Sequence, residues 1–268
     1  MDLAKQCAEA LSLVRREKPL VHHITNIVVA NDNANTMLAL GALPVMAFAR
    51  EEVEEMVAQA QALVVNLGTL TVEVVESALR AGRKANALGI PVVLDPVGAG
   101  ATRFRTESAL FFLEHVRVTI LRGNAGEVKA LLGLSSRVRG VESEEEDTHR
   151  PCIAQEAAKR FATVSVVTGA VDFVSDGKRV VAVHNGHPLL TRVTGTGCMA
   201  TSLCGAFAGV VGDPLLASVA ALGFLGVCAE KAASLSAGPG SFRMHLFDAL
   251  HALEEDEFAA RLRLEVLS

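Results

Sequence analysis

Apolar positions along the chain alternate between two rhythms. Leu3, Cys7, Leu11 and Val14 recur at helical spacing and predict a helix over residues 3–16, which Lys18-Pro19 ends. Residues 20–26, Leu-Val-His-His-Ile-Thr-Asn, form a strand-like run entering a polar turn. Asn26, Asn31, Asp32, Asn33 and Asn35 then crowd the start of a helix that reaches Leu40 and closes at Gly41. An apolar run at 44–49, an acidic-faced helix at 51–60 and an apolar run at 62–66 follow, and a long helix is expected over 71–88. The continuous apolar runs 91–94 and 116–121 end in Asp95 and Arg122. Residues 137–150 are polar, and the acidic run of Glu142, Glu144, Glu145, Glu146 and Asp147 reads as a solvated loop and helix start before a helical pattern at 153–161. A run at 164–167 ends in Thr168-Gly169, while 171–174 and 180–183 flank Asp176-Gly177, a hairpin signal. From Gly195 onward the chain reads as mostly helical, interrupted at Gly238-Pro239-Gly240. Strands buried on both faces and alternating with helices imply an α/β fold with a parallel sheet covered on both sides.

Composition narrows the function classes. A chain of 268 residues with 50% hydrophobic and 21% charged residues is expected to form one compact domain, residues 1–268, with no internal repeat or boundary. A net charge of -5, no Trp and no Tyr argue against nucleic-acid binding, which calls for a basic face and stacking aromatics. The five cysteines, Cys7, Cys152, Cys198, Cys204 and Cys228, are odd in number and lack metal spacing, so a reduced, cytoplasmic setting is expected. Charges in Met-Asp-Leu-Ala-Lys-Gln stand where a secretory leader needs an apolar run. No membrane span is expected, because Asp213 and Pro214 break the most apolar stretch, 210–227. Cys204 and Cys228 read as core thiols, and His22 and His23 as a structural pair at a strand end.

The candidate chemistry centres on residues 191–212. A glycine-punctuated turn, Thr194-Gly195-Thr196-Gly197, runs directly into small and apolar residues from Cys198 onward. Glycines there remove side chains that block an approaching group, and the first backbone N–H groups of the helix form an anion site suited to a phosphoryl group. Cys198 would sit against that site, where a helix N-terminus lowers a thiol's pKa and predicts partial ionisation near neutral pH. Asn66, Asp95, Arg122 and Thr168 all stand at or just beyond the carboxyl ends of apolar strands, where open α/β sheets hold ligands. Asp95 with the turn Pro96-Val97-Gly98-Ala99-Gly100 suits a magnesium-bound phosphate chain, with a helix N-cap or turn aspartate as the competing reading. Arg122 suits phosphate oxygens. Asn124 and Glu127, three apart, fit either a metal-facing pair or a capping box.

Asn124-x-x-Glu127, Val167-Thr168-Gly169 and Gly195-Thr196-Gly197-Cys198 together resemble the ribokinase-like kinases. More narrowly, His23-Ile24-Thr25-Asn26, Pro44-Val45-Met46-Ala47, Asn66-Leu67-Gly68-Thr69-Leu70, Leu94-Asp95-Pro96-Val97-Gly98-Ala99-Gly100 and Arg122-Gly123-Asn124 resemble the hydroxyethylthiazole kinase family through essentially the whole chain. The resemblance implies a three-layer sandwich with a mostly parallel central sheet. It also implies ATP- and Mg²⁺-dependent phosphorylation of 4-methyl-5-(2-hydroxyethyl)thiazole in thiamine salvage. Carried onto this chain, it assigns Arg122, Asn124 and Thr168 to ATP, and Asn26, Met46, Gly68 and Gly195 to the thiazole. Asp95 and Glu127 fall to magnesium, and Gly195, Thr196, Gly197 and Cys198 to the catalytic turn. It further implies a homotrimer with active sites at subunit interfaces.

Departures are local: Phe48 stands where the family commonly has histidine, and Gly126 where it commonly has serine. Cysteine at 198, where the wider superfamily commonly has aspartate, narrows the resemblance to the thiazole kinases. Other readings compete. A hydroxymethylpyrimidine or pyridoxal kinase is the nearest substrate alternative. A nicotinamide-hydrate dehydratase-type lyase would be expected to keep aspartate at 198. A nucleotide binder without catalysis needs no intact metal and anion constellation. Gly238-Pro239-Gly240-Ser241-Phe242 fits either a loop over the nucleotide or a plain helix connector.

Overall fold

The computed structural model describes residues 2–134 and 144–267. In chain order the elements are α1 (Leu3–Glu17), β1 (Leu20–Ile24), α2 (Ala30–Leu40), β2 (Leu43–Met46), α3 (Val53–Val57), β3 (Ala62–Asn66), α4 (Val72–Leu88), β4 (Val92–Asp95), α5 (Arg103–His115), β5 (Ile120–Asn124), α6 (Ala125–Leu131), α7 (Glu144–Phe161), β6 (Val164–Thr168), β7 (Asp172–Ser175), β8 (Val180–Val183), a 3-10 turn (Pro188–Arg192), α8 (Thr196–Ala208), α9 (Pro214–Ser234), α10 (Pro239–Ala252), α11 (Glu255–Arg261) and β9 (Leu264–Val266). One nine-stranded sheet runs in the order β2-β1-β3-β4-β5-β6-β7-β8-β9. Neighbours from β2 through β6 are parallel, and β7, β8 and β9 join antiparallel.

Alternate strand residues enter separate cores. Val64, Val93 and Ile120 pack with α1, α2, α8, α9 and α10, whereas Leu63, Val65, Val92, Leu94 and Leu121 pack with α3, α4, α5 and α6. Burial on both faces explains the unbroken apolar runs, each fully buried Val or Leu side chain contributing roughly 1.5–3 kcal/mol. α8 lies close on the sheet because a Cβ at Gly205 would stand 2.5 Å from Val64 Cγ2. Any side chain there would lift the helix that carries Cys198.

Several expected boundaries move. The helix expected over 51–60 contracts to α3, while β5 begins later than the run at 116–121 and carries Arg122 inside the strand. The carboxyl-terminal region holds a strand, β9, that the helical reading omitted. The hairpin at Asp176-Gly177 is present, with Ser175 paired to Val180. Asp213 and Pro214 start a helix rather than break one: the Asp213 side chain accepts from the Leu215 N–H and Pro214 opens the 21-residue α9. By length and composition α9 could cross a membrane, contrary to the sequence reading, yet 83% of its most apolar window is buried inside the fold. Within the acidic run, Glu142 lies outside the described residues; Glu144 to Asp147 open α7.

Candidate active site

The strand order turns back on itself between β1 and β3, and the ligand site of such sheets lies beyond the carboxyl ends at that point. Asn26 follows β1 and Asn66 ends β3; Asp95 ends β4, opposite Asn66 in register. Asn66 is 2% exposed. Its amide nitrogen donates to Asp95 Oδ2 at 2.8 Å and to Cys198 Sγ at 3.2 Å. Its carbonyl oxygen accepts from Asn26 Nδ2 at 2.8 Å and from the Gly68 N–H at 3.0 Å. Asn26 Nδ2 also donates to Cys198 Sγ at 3.6 Å, while Asn26 Oδ1 accepts from the Val28 and Val29 N–H groups.

Asp95 is fully buried. Its Oδ2 accepts from Thr201 Oγ1 at 2.7 Å and lies 3.6 Å from Arg122 Nη1, whereas Oδ1 has no hydrogen-bond partner among the described residues. Burial pushes the carboxyl up to about 6, against the lowering influence of Arg122. The Arg122 guanidinium donates to Thr168 Oγ1 at 2.6 Å and stands 3.0 Å from where a Gly197 Cβ would be. Arg122 therefore links the ends of β4 and β6 from within β5 and lies against the α8 N-terminus. That N-terminus begins at Gly195, whose φ of +90° suits glycine and whose Cβ would meet Val29 Cγ1 at 2.6 Å.

The Cys198 thiol is pushed up to about 11, first by burial and then by Asp95. This corrects the expectation of partial ionisation: the α8 N-terminus and the Asn66 donor do not offset loss of solvent beside a carboxylate. The sulfur is a neutral thiol at pH 7.

The remaining sequence candidates divide. Asn124 and Glu127 form a complete capping box at 2.9 Å each way, and Glu127 Oε1 also accepts from the Gly98 N–H at 2.9 Å. Asn124 thus uses its side-chain acceptor as a helix cap. Thr196 Oγ1 donates to Leu190 O at 2.8 Å, turning its hydroxyl towards the 3-10 turn and leaving its backbone at the helix start. Met46 ends the edge strand β2, half-buried, in register with His23 on β1. His22 and His23 are buried and bonded to the carbonyls of Ala47 and Val21; burial lowers both, His23 to about 4, so they stay neutral. Cys204 and Cys228 are buried core thiols, and Gly238-Pro239-Gly240 opens α10.

Thr201 and Arg105 escaped the sequence reading. Thr201 stands three residues beyond Cys198, on the same face of α8, a spacing that could have found it. Arg105 gave no signal; from α5 it donates to Leu67 O, Val97 O and Gly68 O at 2.8, 3.0 and 2.8 Å, lacing together the loops after β3 and β4. Two surface hollows, lined by Arg117, Thr163 and Asp176 and by Leu38, Arg243 and Phe247, include none of these residues.

Residues 11–256 match the model of the Hydroxyethylthiazole kinase family. The chain is 49% identical over 267 residues to the hydroxyethylthiazole kinase of Moorella thermoacetica, covering 100% of both sequences. The structure of the hydroxyethylthiazole kinase protein of Pyrococcus horikoshii OT3 is 48% identical, covers 98% of this chain and 99% of that one, and superposes with a TM-score of 0.91. The pyridoxal kinase of Staphylococcus aureus, 17% identical with a TM-score of 0.66 over 93% of this chain and 98% of that one, shares the fold.

Proposed function

The chain belongs to the hydroxyethylthiazole kinase family, and from that premise we propose that the cluster at the carboxyl edge transfers the γ-phosphoryl group of ATP to the hydroxyl of 4-methyl-5-(2-hydroxyethyl)thiazole. The observation that carries the site assignment is the meeting of the α8 N-terminus, bared by Gly197, with the Arg122 guanidinium and the Asp95 carboxylate.

Phosphoryl transfer of this kind is loose, so positioning and charge stabilisation carry the burden. The N–H groups of Gly197 and Cys198 and the Arg122 guanidinium supply donors to the transferred group's oxygens. Arg122 and Thr168 hold the ATP phosphates from the side of β5 and β6, with Asn124 at the rim. Asn26, Met46, Gly68 and Gly195 line the thiazole side. The donor set fits Mg²⁺: Asp95 Oδ1 is a buried carboxylate oxygen without a partner among the described residues, and each Glu127 oxygen carries one hydrogen bond there and keeps a lone pair. Asp95 and Glu127, the latter directly or through water, would hold the ion, which when bound neutralises charge on the phosphate chain. Cys198, protonated at neutral pH, is no base for the substrate hydroxyl.

A homotrimer with each thiazole pocket shared between neighbours completes the reading. Ile27 and Val28, next to Asn26, are 82% and 65% exposed, an apolar surface at the mouth of the site that a second copy would cover. One domain working in the cytoplasm fits the five free cysteines. Consumption of ATP measured with the thiazole alcohol beside hydroxymethylpyrimidine and pyridoxal tests the assignment. The thiazole alcohol is expected to give the highest kcat/KM; preference for either competitor would overturn it.

A further inference from the structure

Asn26 and Asn66 each have two side-chain N–H hydrogens and a carbonyl oxygen with two lone pairs. In both residues all four are used. Asn66 gives its hydrogens to Asp95 and Cys198 and takes those of Asn26 and the Gly68 amide. Asn26 gives its hydrogens to Asn66 and Cys198 and takes those of Val28 and Val29. Reversing the Asn66 amide would set its oxygen against the Asp95 carboxylate and its NH₂ against the Gly68 N–H, so the orientation is determined by the neighbours. Cys198 Sγ is then the acceptor for two amide hydrogens, one from the turn after β1 and one from the end of β3. With both sulfur lone pairs facing asparagine, only the S–H hydrogen remains to meet a ligand.

Resting on the kinase reading above, we propose that Asn66 is a positioning residue: its amide fixes the Asp95 carboxylate and the Cys198 thiol in one relative geometry. With Asn26 it also turns the thiol so that sulfur presents a hydrogen-bond donor to the substrate. Asn66 touches no reacting atom; it acts through the two side chains it holds. Displacement of a group by about 1 Å from its productive position costs on the order of 100-fold in rate. Loss of one of the two amide donors on sulfur releases the thiol rotor.

Two readouts test this on the intact protein. In steady-state kinetics, Asn66→Ala is expected to lower kcat about 10- to 100-fold and to leave KM for ATP and thiazole alcohol within about threefold. The penalty should be smaller when Cys198→Ala is already present, because part of it runs through the thiol. The second readout needs no substrate: the S–H stretching band of Cys198, isolated as the infrared difference between protein with and without Cys198→Ala, is expected to move in the Asn66→Ala background. An equal kcat penalty in both backgrounds, or an unmoved band, overturns the proposal. Should Asn66→Ala fail to fold, Asn66→Leu nearly fills the same volume, removes both amide donors without setting a second carboxyl against Asp95, and is judged by the same readouts. If the parent protein leaves the thiazole alcohol untouched, the substrate assignment fails, and the infrared band still decides whether Asn66 orients the thiol.

Discussion

Asp95→Asn is expected to make the metal-free protein more stable and a much poorer kinase. Asp95 titrates near 6 in the fold against an ordinary value of 3.8. The folded state therefore holds this proton more tightly than the unfolded chain. Stability from this group falls as pH rises from about 4 to about 6 and is level above that. At about 1.4 kcal/mol per pH unit, the gap corresponds to about 3 kcal/mol of destabilisation at pH 8. An asparagine can keep the acceptor contacts that Oδ2 makes with Asn66 and Thr201 while carrying no buried charge. Urea unfolding at fixed protein concentration, with chelator present, should show the variant ahead by about 3 kcal/mol at pH 8, by about half that at pH 5, and by little at pH 4. Turnover with ATP and Mg²⁺ should fall on the order of 100-fold or more, as when a preorganised electrostatic contact is removed. A variant less stable than its parent at pH 8, or an advantage that does not shrink on acidification, would refute the reasoning that burial dominates over Arg122.

Four further outcomes are expected. Cys198→Ala should retain measurable turnover and Cys198→Asp should be tolerated, since a carboxylate can accept the same two amide hydrogens; steady-state kinetics that find both variants dead, with thiazole binding intact, would show that sulfur itself is required. Gly195→Ala should cost about 1–3 kcal/mol in a denaturation curve and lower turnover, because the residue combines φ of +90° with a Cβ position 2.6 Å from Val29; a neutral result would mean that the turn adjusts freely. Replacing Asp95 and Glu127 together by alanine, or adding excess chelator, should abolish turnover while a thiazole-binding assay changes little, and full activity in chelator would remove the metal from the scheme. Light scattering at assay concentration should return three chains per particle, and an active monomer would end the shared-pocket reading.

Strand ends were legible because buried runs stop abruptly: Asn66, Asp95 and Thr168 are each the last residue of their strands. Arg122 was misplaced by two residues because an arginine and a glycine look like the end of a strand, although β5 continues through Gly123 to Asn124. β9 was illegible: three residues at the sheet edge, one of them Glu265, carry too little periodicity. The misreading of Cys198 has a different origin. Its helix N-terminus is local and visible in sequence, whereas the burial and the carboxylate that dominate its proton come from the folded neighbourhood. The saturated asparagines were hidden for the same reason, since Asn66 meets partners 29, 40 and 132 residues away. Arg105 reads as an ordinary helix arginine and becomes a loop clamp only when β3 and β4 stand side by side.

The crossing of α8 over the sheet also fixes when activity can arise during synthesis. α8 packs on β1, β3, β4 and β5, yet it begins at Thr196, with about a quarter of the chain still to follow. A ribosome-bound chain that has released β1 to β6 can pair its parallel strands, with their asparagines and carboxylate in place and no thiol or anion-binding turn to receive them. Contacts separated by 106 and 172 residues, Thr201 to Asp95 and Cys198 to Asn26, can close only once α8 has emerged. The emerging protein is therefore expected to pass through a stage with much of its sheet built and no phosphotransferase activity, and to acquire that activity in one step as the final third of the chain docks.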